Sequence, residues 1–427
     1  MNIKWRVKIL DHLLGYYQNH LKENLIPFWM RAVDKENGGV FSCFNNEGTE
    51  LMSTDKYTWS QGRFIWVLSR IADLCNKGLS DGEADDYLKH AEKAVTFLSK
   101  NVFLDNGNCA YLLTEAGEKK ELIPGQGYDS SFYADCFIVV GFTEYARVKG
   151  DRKVLEQALQ LYKSIEHRLQ TGNVRSEPYP VPKGFISQSF AMIMLNVSQE
   201  LADTLISVQH PEGQQVRERS IHYMNEIMDK FVDENYILSE LLSENGSDDD
   251  TLLARQIAPG HSIECMWFVM IEAHKLGLLS IVEKAAKVVK KAFEIGWDHE
   301  FGGLYRYVDC DGGQPIGRKI SDGYEALICD TWDMKIWWPH SEALYTFLLS
   351  HELTKDSEFL SLYDQMHDYV FQTFPHPDPK IGEWIQIRDR QGNPIEKLVA
   401  LPVKDPYHIM RNVLLTIELL NGKNQRA

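Results

Sequence analysis

The 427-residue chain sets 45 Lys and Arg against 61 Asp and Glu, a formal charge of −16, with 44% hydrophobic and 25% charged residues. That is ordinary globular usage, and the acidic balance excludes the basic stripe that nucleic-acid binding needs and disfavours docking on anionic lipid. It also lacks any run of about 18 apolar residues, the length of a membrane span.

The start, MNIKWRVKILDHLLGYY, has no continuous apolar stretch ending in small residues and does not read as a secretion leader. Seven scattered cysteines (43, 75, 109, 136, 265, 310, 329) contain no C-x-x-C pair. They read as free thiols in a reducing cytoplasm rather than a zinc cage or redox motif. A prior of about 150 residues per domain suggests three domains. Composition does not vary along the chain, however, and the one loose stretch is the acidic loop at 244–251 (ENGSDDDT). One domain over 1–427 is expected.

An internal repeat sets the architecture. Gly38 and Gly48, Gly107 and Gly117, Gly302 and Gly312, and Gly382 and Gly392 share one spacing. An aromatic follows each first glycine (Phe41, Tyr111, Tyr305, Trp384), and Asn45, Asp309 or Asp389 precedes the second glycine in three of them. The pattern predicts a short strand, a turn and a return strand. Degenerate copies start near Gly172 and at Tyr236 (YILSELLSENG). In chain order, helical spacing of apolar residues predicts helices over 59–74, 132–146, 263–276 and 337–349. Asp129-Ser130-Ser131 should open the second of these, and Gly150-Asp151 should close it. Each unit of about 65–80 residues has room for two helices of ordinary length. Six units predict an all-α (α/α)6 barrel of six helical hairpins, with short β-hairpins in the loops at one end.

The chemistry concentrates at helix starts. His261, after Ala258-Pro259-Gly260, opens a helix with Glu264 one turn on. His408, after Asp405-Pro406-Tyr407, opens another with Arg411 one turn on. A spacing of three puts each partner on the same face. Two such histidines make an acid–base couple, because imidazole both takes and gives a proton near neutral pH; the alternative is that each caps its own helix. His12, His20, His90 and His167 read as solvated bystanders. Arg63 is a candidate donor to a developing oxyanion, and Glu240 and Glu342 are candidates to hold sugar hydroxyls or orient a histidine. Trp338 and Trp384, at helix or hairpin ends, are candidate platforms for sugar rings, with core packing as the alternative. No H-E-x-x-H, EF-hand, Walker A, G-x-G-x-x-G or G-x-S-x-G pattern is present, so neither metal nor nucleotide cofactor is expected.

The segments GGVFSCFNNEG (38–48), KYTWSQGRFIW (56–66), PGHSIECMWF (259–268), KIWWPHSEAL (335–344), GEWIQIRDRQG (382–392) and PYHIMR (406–411) together resemble the N-acylglucosamine 2-epimerase family. That family spans N-acetylglucosamine 2-epimerases, cellobiose 2-epimerases and mannose or related aldose–ketose isomerases. The resemblance implies an (α/α)6 barrel. It makes His261 and His408 the acid–base pair, and Arg63, Glu240, Glu264, Glu342 and Arg411 pocket residues. One histidine takes the proton beside the carbonyl of the open-chain sugar. An epimerase returns a proton to the opposite face of that carbon, and an isomerase returns it to the neighbouring carbon; neither needs an organic cofactor. The chain departs from the cellobiose branch at Val403, where a tryptophan is expected, and over 184–196, which lacks a further histidine. Both departures favour a monosaccharide, with N-acylglucosamine first and mannose or a related hexose as alternative. The resemblance also admits a homodimer. Some members are ATP-modulated, but no feature here requires it. Rival classes are a glycoside hydrolase or lyase, for which Glu240 and Glu342 would be the two carboxylates, and a non-catalytic sugar-binding or partner-binding barrel.

Overall fold

The structure, a computed structural model, describes residues 3–424, with side chains over 12–422. The reading of the chain start as no leader rests partly on residues outside that range. Twelve helices of 14 residues or more lie among the described residues. They are α1 Ile3–His20, α2 Thr58–Asn76, α3 Ala84–Asn101, α4 Phe132–Lys149, α5 Arg152–Thr171, α6 Gln188–Ser207, α7 Gly213–Glu226, α8 Pro259–Lys275, α9 Leu279–Gly296, α10 Trp337–Thr354, α11 Glu358–Thr373 and α12 Tyr407–Asn424. No described helix is long and apolar enough to cross a membrane.

The chain divides into two compact units, one of Met1–Pro178, His376–Trp384 and Leu398–Ala427, the other of Tyr179–Pro375 and Ile385–Lys397. In the first, α2 pairs with α3, α4 with α5, and α1 with α12, while α4 and α12 also pack on α2. In the second, α6 pairs with α7, α8 with α9, and α10 with α11, while α10 and α6 pack on α8. In the five pairs whose side chains are described throughout, a helix buried on most sides joins one buried along a stripe. In α4 every residue from Ala134 to Ala146 is buried. In α3 the buried set is Leu88, Ala91, Ala94, Val95, Phe97 and Leu98, with charges opposite. That is one helical face, and burying each large apolar side chain on it contributes about 1.5–3 kcal/mol.

Two glycines set how closely the site helices approach. A Cβ on Gly62 of α2 would lie 2.2 Å from the Phe137 carbonyl oxygen of α4. A Cβ on Gly260 of α8 would lie 2.6 Å from Pro339 and 2.7 Å from the Trp338 ring of α10. Any larger residue would push those helices apart, and each glycine directly precedes a candidate site residue, Arg63 or His261.

The glycine repeat forms turns as expected, but the strands pair differently. Cys43–Phe44 pairs with Leu51–Ser53, and Leu112–Leu113 with Lys119–Lys120, as local hairpins. The other dominant pairing joins one repeat to the next. Lys56–Tyr57 pairs with Leu112–Leu113, Phe185–Ser187 with Leu241–Ser243, Gln256–Ile257 with Val308–Asp309, and Lys335–Ile336 with Ile387–Arg388. The first strand of each pair leads directly into a buried helix, so the ladder fixes where that helix begins. The copy at Tyr236 is real: Tyr236 takes φ +64°, the left-handed region its repeat neighbours fill with glycine. The copy at Gly172 is corrected. Gly172 (φ +68°) ends α5 as its C-cap and starts no hairpin.

Candidate active site

In the first unit, α2, α12 and the chain before α12 gather Arg63, Asp405, His408 and Arg411. Asp405 caps α12: its carboxylate accepts from the backbone N–H groups of Tyr407 (3.2 Å) and His408 (3.4 Å). It also accepts from Arg63 at 3.2 Å. Burial pushes the Asp405 carboxyl upward, but the charges of Arg63 and His408 and the two N–H bonds hold it below its ordinary value. A second Arg63 nitrogen lies 3.2 Å from His408 Nε2. Guanidinium only donates, so Nε2 accepts in this contact when the ring is neutral, and Asp405 Oδ2 lies 3.8 Å from the same nitrogen. Arg63 is fixed from the other side by the Phe137 ring, 4.0 Å from its guanidinium carbon, and by Trp59 at 5.0 Å. Arg411 lies over the Tyr407 ring at 4.6 Å, with one nitrogen 3.5 Å from His408 Nδ1.

In the second unit, α8, α10 and the strand at 241–243 gather the other set. His261, in the first turn of α8, sets Nδ1 3.0 Å from Glu240 Oε2. A carboxylate accepts, so Nδ1 donates and Nε2 is left for chemistry. Burial works against the imidazolium, but the charge and hydrogen bond of Glu240, followed by the charge of Glu264, raise His261 above its ordinary value against the opposing charge of Arg306. The half-buried Trp338 stacks on the His261 ring, with centroids 4.9 Å apart and planes at 29°. Buried Glu342 accepts from Trp267 Nε1 at 2.8 Å. Gln188, at the start of α6, contacts Glu240 Oε2 through its side-chain nitrogen at 3.4 Å. Glu240 Oε1 and Gln188 Oε1 are buried acceptors with no donor among the described residues.

All the expected residues but one fall in these two clusters. The exception is Trp384. It is 1% exposed and donates from Nε1 to His20 Nε2 at 2.9 Å, so it is a core side chain rather than a sugar platform. His20 is corrected with it, being buried rather than solvated. Two contributors were missed. Asp405 carried a helix-capping signal in Asp-Pro-Tyr-His but no sign of its hold on Arg63. Gln188 carried no signal, because its partner Glu240 is 52 residues away. One acidic group outside the clusters, Asp309 with Asp311, is taken up by Arg255.

The model of the family described as N-acylglucosamine 2-epimerase (GlcNAc 2-epimerase) matches residues 39–412. The chain is 27% identical to the N-acylglucosamine 2-epimerase of Bos taurus, over 94% of this chain and 89% of that protein. The structure is similar to that of cellobiose 2-epimerase from Bacillus thermoamylovorans B4167, with a TM-score of 0.76, 22% identity, and coverage of 96% of this chain and 99% of that one. It is also similar to a D-mannose isomerase, with a TM-score of 0.74, 16% identity, and coverage of 95% and 97%. These structures show the fold, the helical barrel anticipated from the repeat, and the match along the sequence shows that the chain belongs to the N-acylglucosamine 2-epimerase family.

Proposed function

We propose that this protein is a cofactor-independent carbohydrate 2-epimerase that interconverts N-acetylglucosamine and N-acetylmannosamine within a single catalytic domain. The observation that carries the reading is the unequal setting of the two histidines. His408 faces Arg63 through Nε2, the nitrogen we assign to taking the proton. His261 is biased by Glu240 toward holding one. Removing a proton from carbon 2 of the open-chain sugar moves the C–H electron pair toward the carbonyl oxygen. The product is an enolate, or an enediolate where carbon 2 bears a hydroxyl. In the forward direction His408 is the base, Arg63 donates to the oxyanion, and His261 delivers a proton to the opposite face. In reverse the roles exchange.

Trp338 serves as the sugar-ring platform, and Glu264, Glu342 and Arg411 as polar pocket residues. Glu240 Oε1 and Gln188 Oε1 suit sugar hydroxyl or amide donors. The names of the relatives support the substrate class, and the departures at Val403 and over 184–196 support a monosaccharide. A cytoplasmic setting is supported by seven cysteines, none of them in a disulfide; a homodimer rests on the family resemblance, and sedimentation tests it. A D-mannose isomerase among the similar structures keeps aldose–ketose isomerisation as the second reading.

The test is incubation with N-acetylglucosamine, mannose, glucose and cellobiose in deuterated water, read by NMR. Deuterium at carbon 2 with N-acetylmannosamine formed is expected. A ketose product would select the isomerase, and absence of exchange on every sugar would overturn both.

A further inference from the structure

Three lysines are buried where a lysine is costly: Lys56 and Lys335 are 0% exposed and Lys404 is 2% exposed. A buried ammonium is tolerated only when paired and hydrogen-bonded. Lys56 Nζ donates to Asp34 Oδ2 (2.7 Å), Gly38 O (2.9 Å) and Glu115 O (2.9 Å). Lys404 Nζ donates to Asn46 O (2.6 Å) and Trp384 O (2.7 Å) and pairs with Glu383 at 3.0 Å. Lys335 Nζ donates to Asp298 Oδ2 (3.1 Å) and Gly303 O (3.3 Å) and lies 4.2 Å from the Tyr305 ring centroid.

Their places in the chain coincide. Lys56 and Lys335 each stand two residues before a buried helix, α2 and α10, and Lys404 stands three before α12. Those helices carry Arg63, then Trp338 and Glu342, then His408 and Arg411. The partners coincide as well. Asp34 and Asp298 each fold the preceding turn by accepting two backbone N–H groups, those of Glu36 and Asn37 or of Glu300 and Phe301. Glu383, partner of Lys404, holds φ +62°. Each lysine thus ties a turn of the repeat to the start of a site helix. Apolar side chains of similar volume at such positions are commonly as stable as a buried ion pair or more so, so stability alone does not account for three of them at one register. At the corresponding place before α8 stands Gln256, buried, with neither side-chain amide atom hydrogen-bonded among the described residues. The device therefore belongs to three of the helix starts, and α8 is set instead by the close seat of Gly260.

We propose that Lys56, Lys335 and Lys404 are positioning residues that clamp the repeat turns onto the first turns of α2, α10 and α12 and so set the aim of the site side chains there. The inference rests on the epimerase reading for its kinetic arm only. The experiment replaces each lysine singly by Met in the full chain. Backbone hydrogen exchange is followed by mass spectrometry over 58–63, 337–342 and 407–411, and carbon-2 exchange of N-acetylglucosamine is measured per folded molecule, well below each variant's own unfolding temperature.

Faster amide exchange confined to the helix start after the replaced lysine is expected, with kcat lowered by up to ~10²-fold, the scale of a displacement of about 1 Å in a catalytic group. Wild-type protection and wild-type kcat in a folded variant would overturn the proposal, as would a lowered melting temperature with kcat unchanged, which marks a purely structural role. Where a single variant does not fold, Lys56→Met with Asp34→Asn removes both charges together and is judged by the same readings. A wild-type protein that exchanges no sugar would sink the epimerase reading, and the clamp would then stand or fall on amide protection alone.

Discussion

The two histidines both stand in the first turns of their helices but in different electrostatic settings. His261 is backed by a carboxylate, Glu240, and is held above its ordinary pKa once burial is outweighed. His408 is flanked by two arginines, Arg63 at Nε2 and Arg411 toward Nδ1, with Asp405 paired to Arg63 and 3.8 Å from Nε2. Acid–base pairs work when environment separates the roles of chemically identical groups. In the proposed mechanism, one short motif, a histidine in a first turn with a charge three residues on, serves as two tools because residues outside the motif differ.

The largest expected effect breaks the comparison outright. His261→Ala and His408→Ala should each lower formation of the 2-epimer by about 10²–10⁴-fold, the contribution of a general acid or base; initial rates by NMR check this, and equal rates in wild type and variant would remove that histidine from the mechanism. Arg63→Ala comes next. Loss of an oxyanion donor costs about 10²–10³ in kcat, and the effect should fall on kcat more than KM, because the donor is most needed once charge has moved onto oxygen. A pure KM effect would make Arg63 a ground-state binder.

Glu240→Gln sharpens the comparison through pH. Glu240 raises His261, so its removal lowers the pKa and the imidazolium is lost at lower pH. The alkaline limb of kcat/KM should move toward acid, whereas the same limb in Arg411→Gln should not move that way. The same sign applies to folding. His261, raised on folding, stabilises most below its unfolded pKa, and that contribution fades as pH rises through the folded value. Urea midpoints of Glu240→Gln and wild type should therefore differ more at acid pH than at alkaline pH. The smallest effect separates the two tryptophans. Trp384→Phe should cost about 1–3 kcal/mol through the lost bond to buried His20, with kinetics unchanged. A raised KM in that variant would restore Trp384 as a sugar platform.

How far the sequence could be read follows from the range of the interactions. Helix starts and spacings were legible because they are local: the first turns carrying His261 and His408 and the partners Glu264 and Arg411 three residues on all lie within a few residues of their signals. Strand pairing between repeats was not legible, because two-residue strands such as Lys335–Ile336 and Ile387–Arg388 carry too few side chains to specify a partner. Asp405 with Arg63, 342 residues apart, and Gln188 with Glu240 were invisible for the same reason. His20 misled because a polar ring on a helix reads as exposed until its partner, 364 residues on, is in place, and Trp384 misled because an aromatic at a hairpin end reads as open to a cleft. Gly172 misled because a glycine ending a helix and a glycine in a hairpin turn both need positive φ, and spacing alone does not separate them.

The claim that two bases stand behind one epimerisation is tested most directly by solvent deuterium exchange in the single-histidine variants. N-acetylglucosamine and N-acetylmannosamine are each given separately to His261→Ala and His408→Ala in deuterated water. With one base per face, His261→Ala should label carbon 2 of N-acetylglucosamine without forming the epimer, and His408→Ala should do the same with N-acetylmannosamine only. Labelling of both sugars by either variant, or epimer formation by a variant at the wild-type rate, would contradict the two-histidine mechanism.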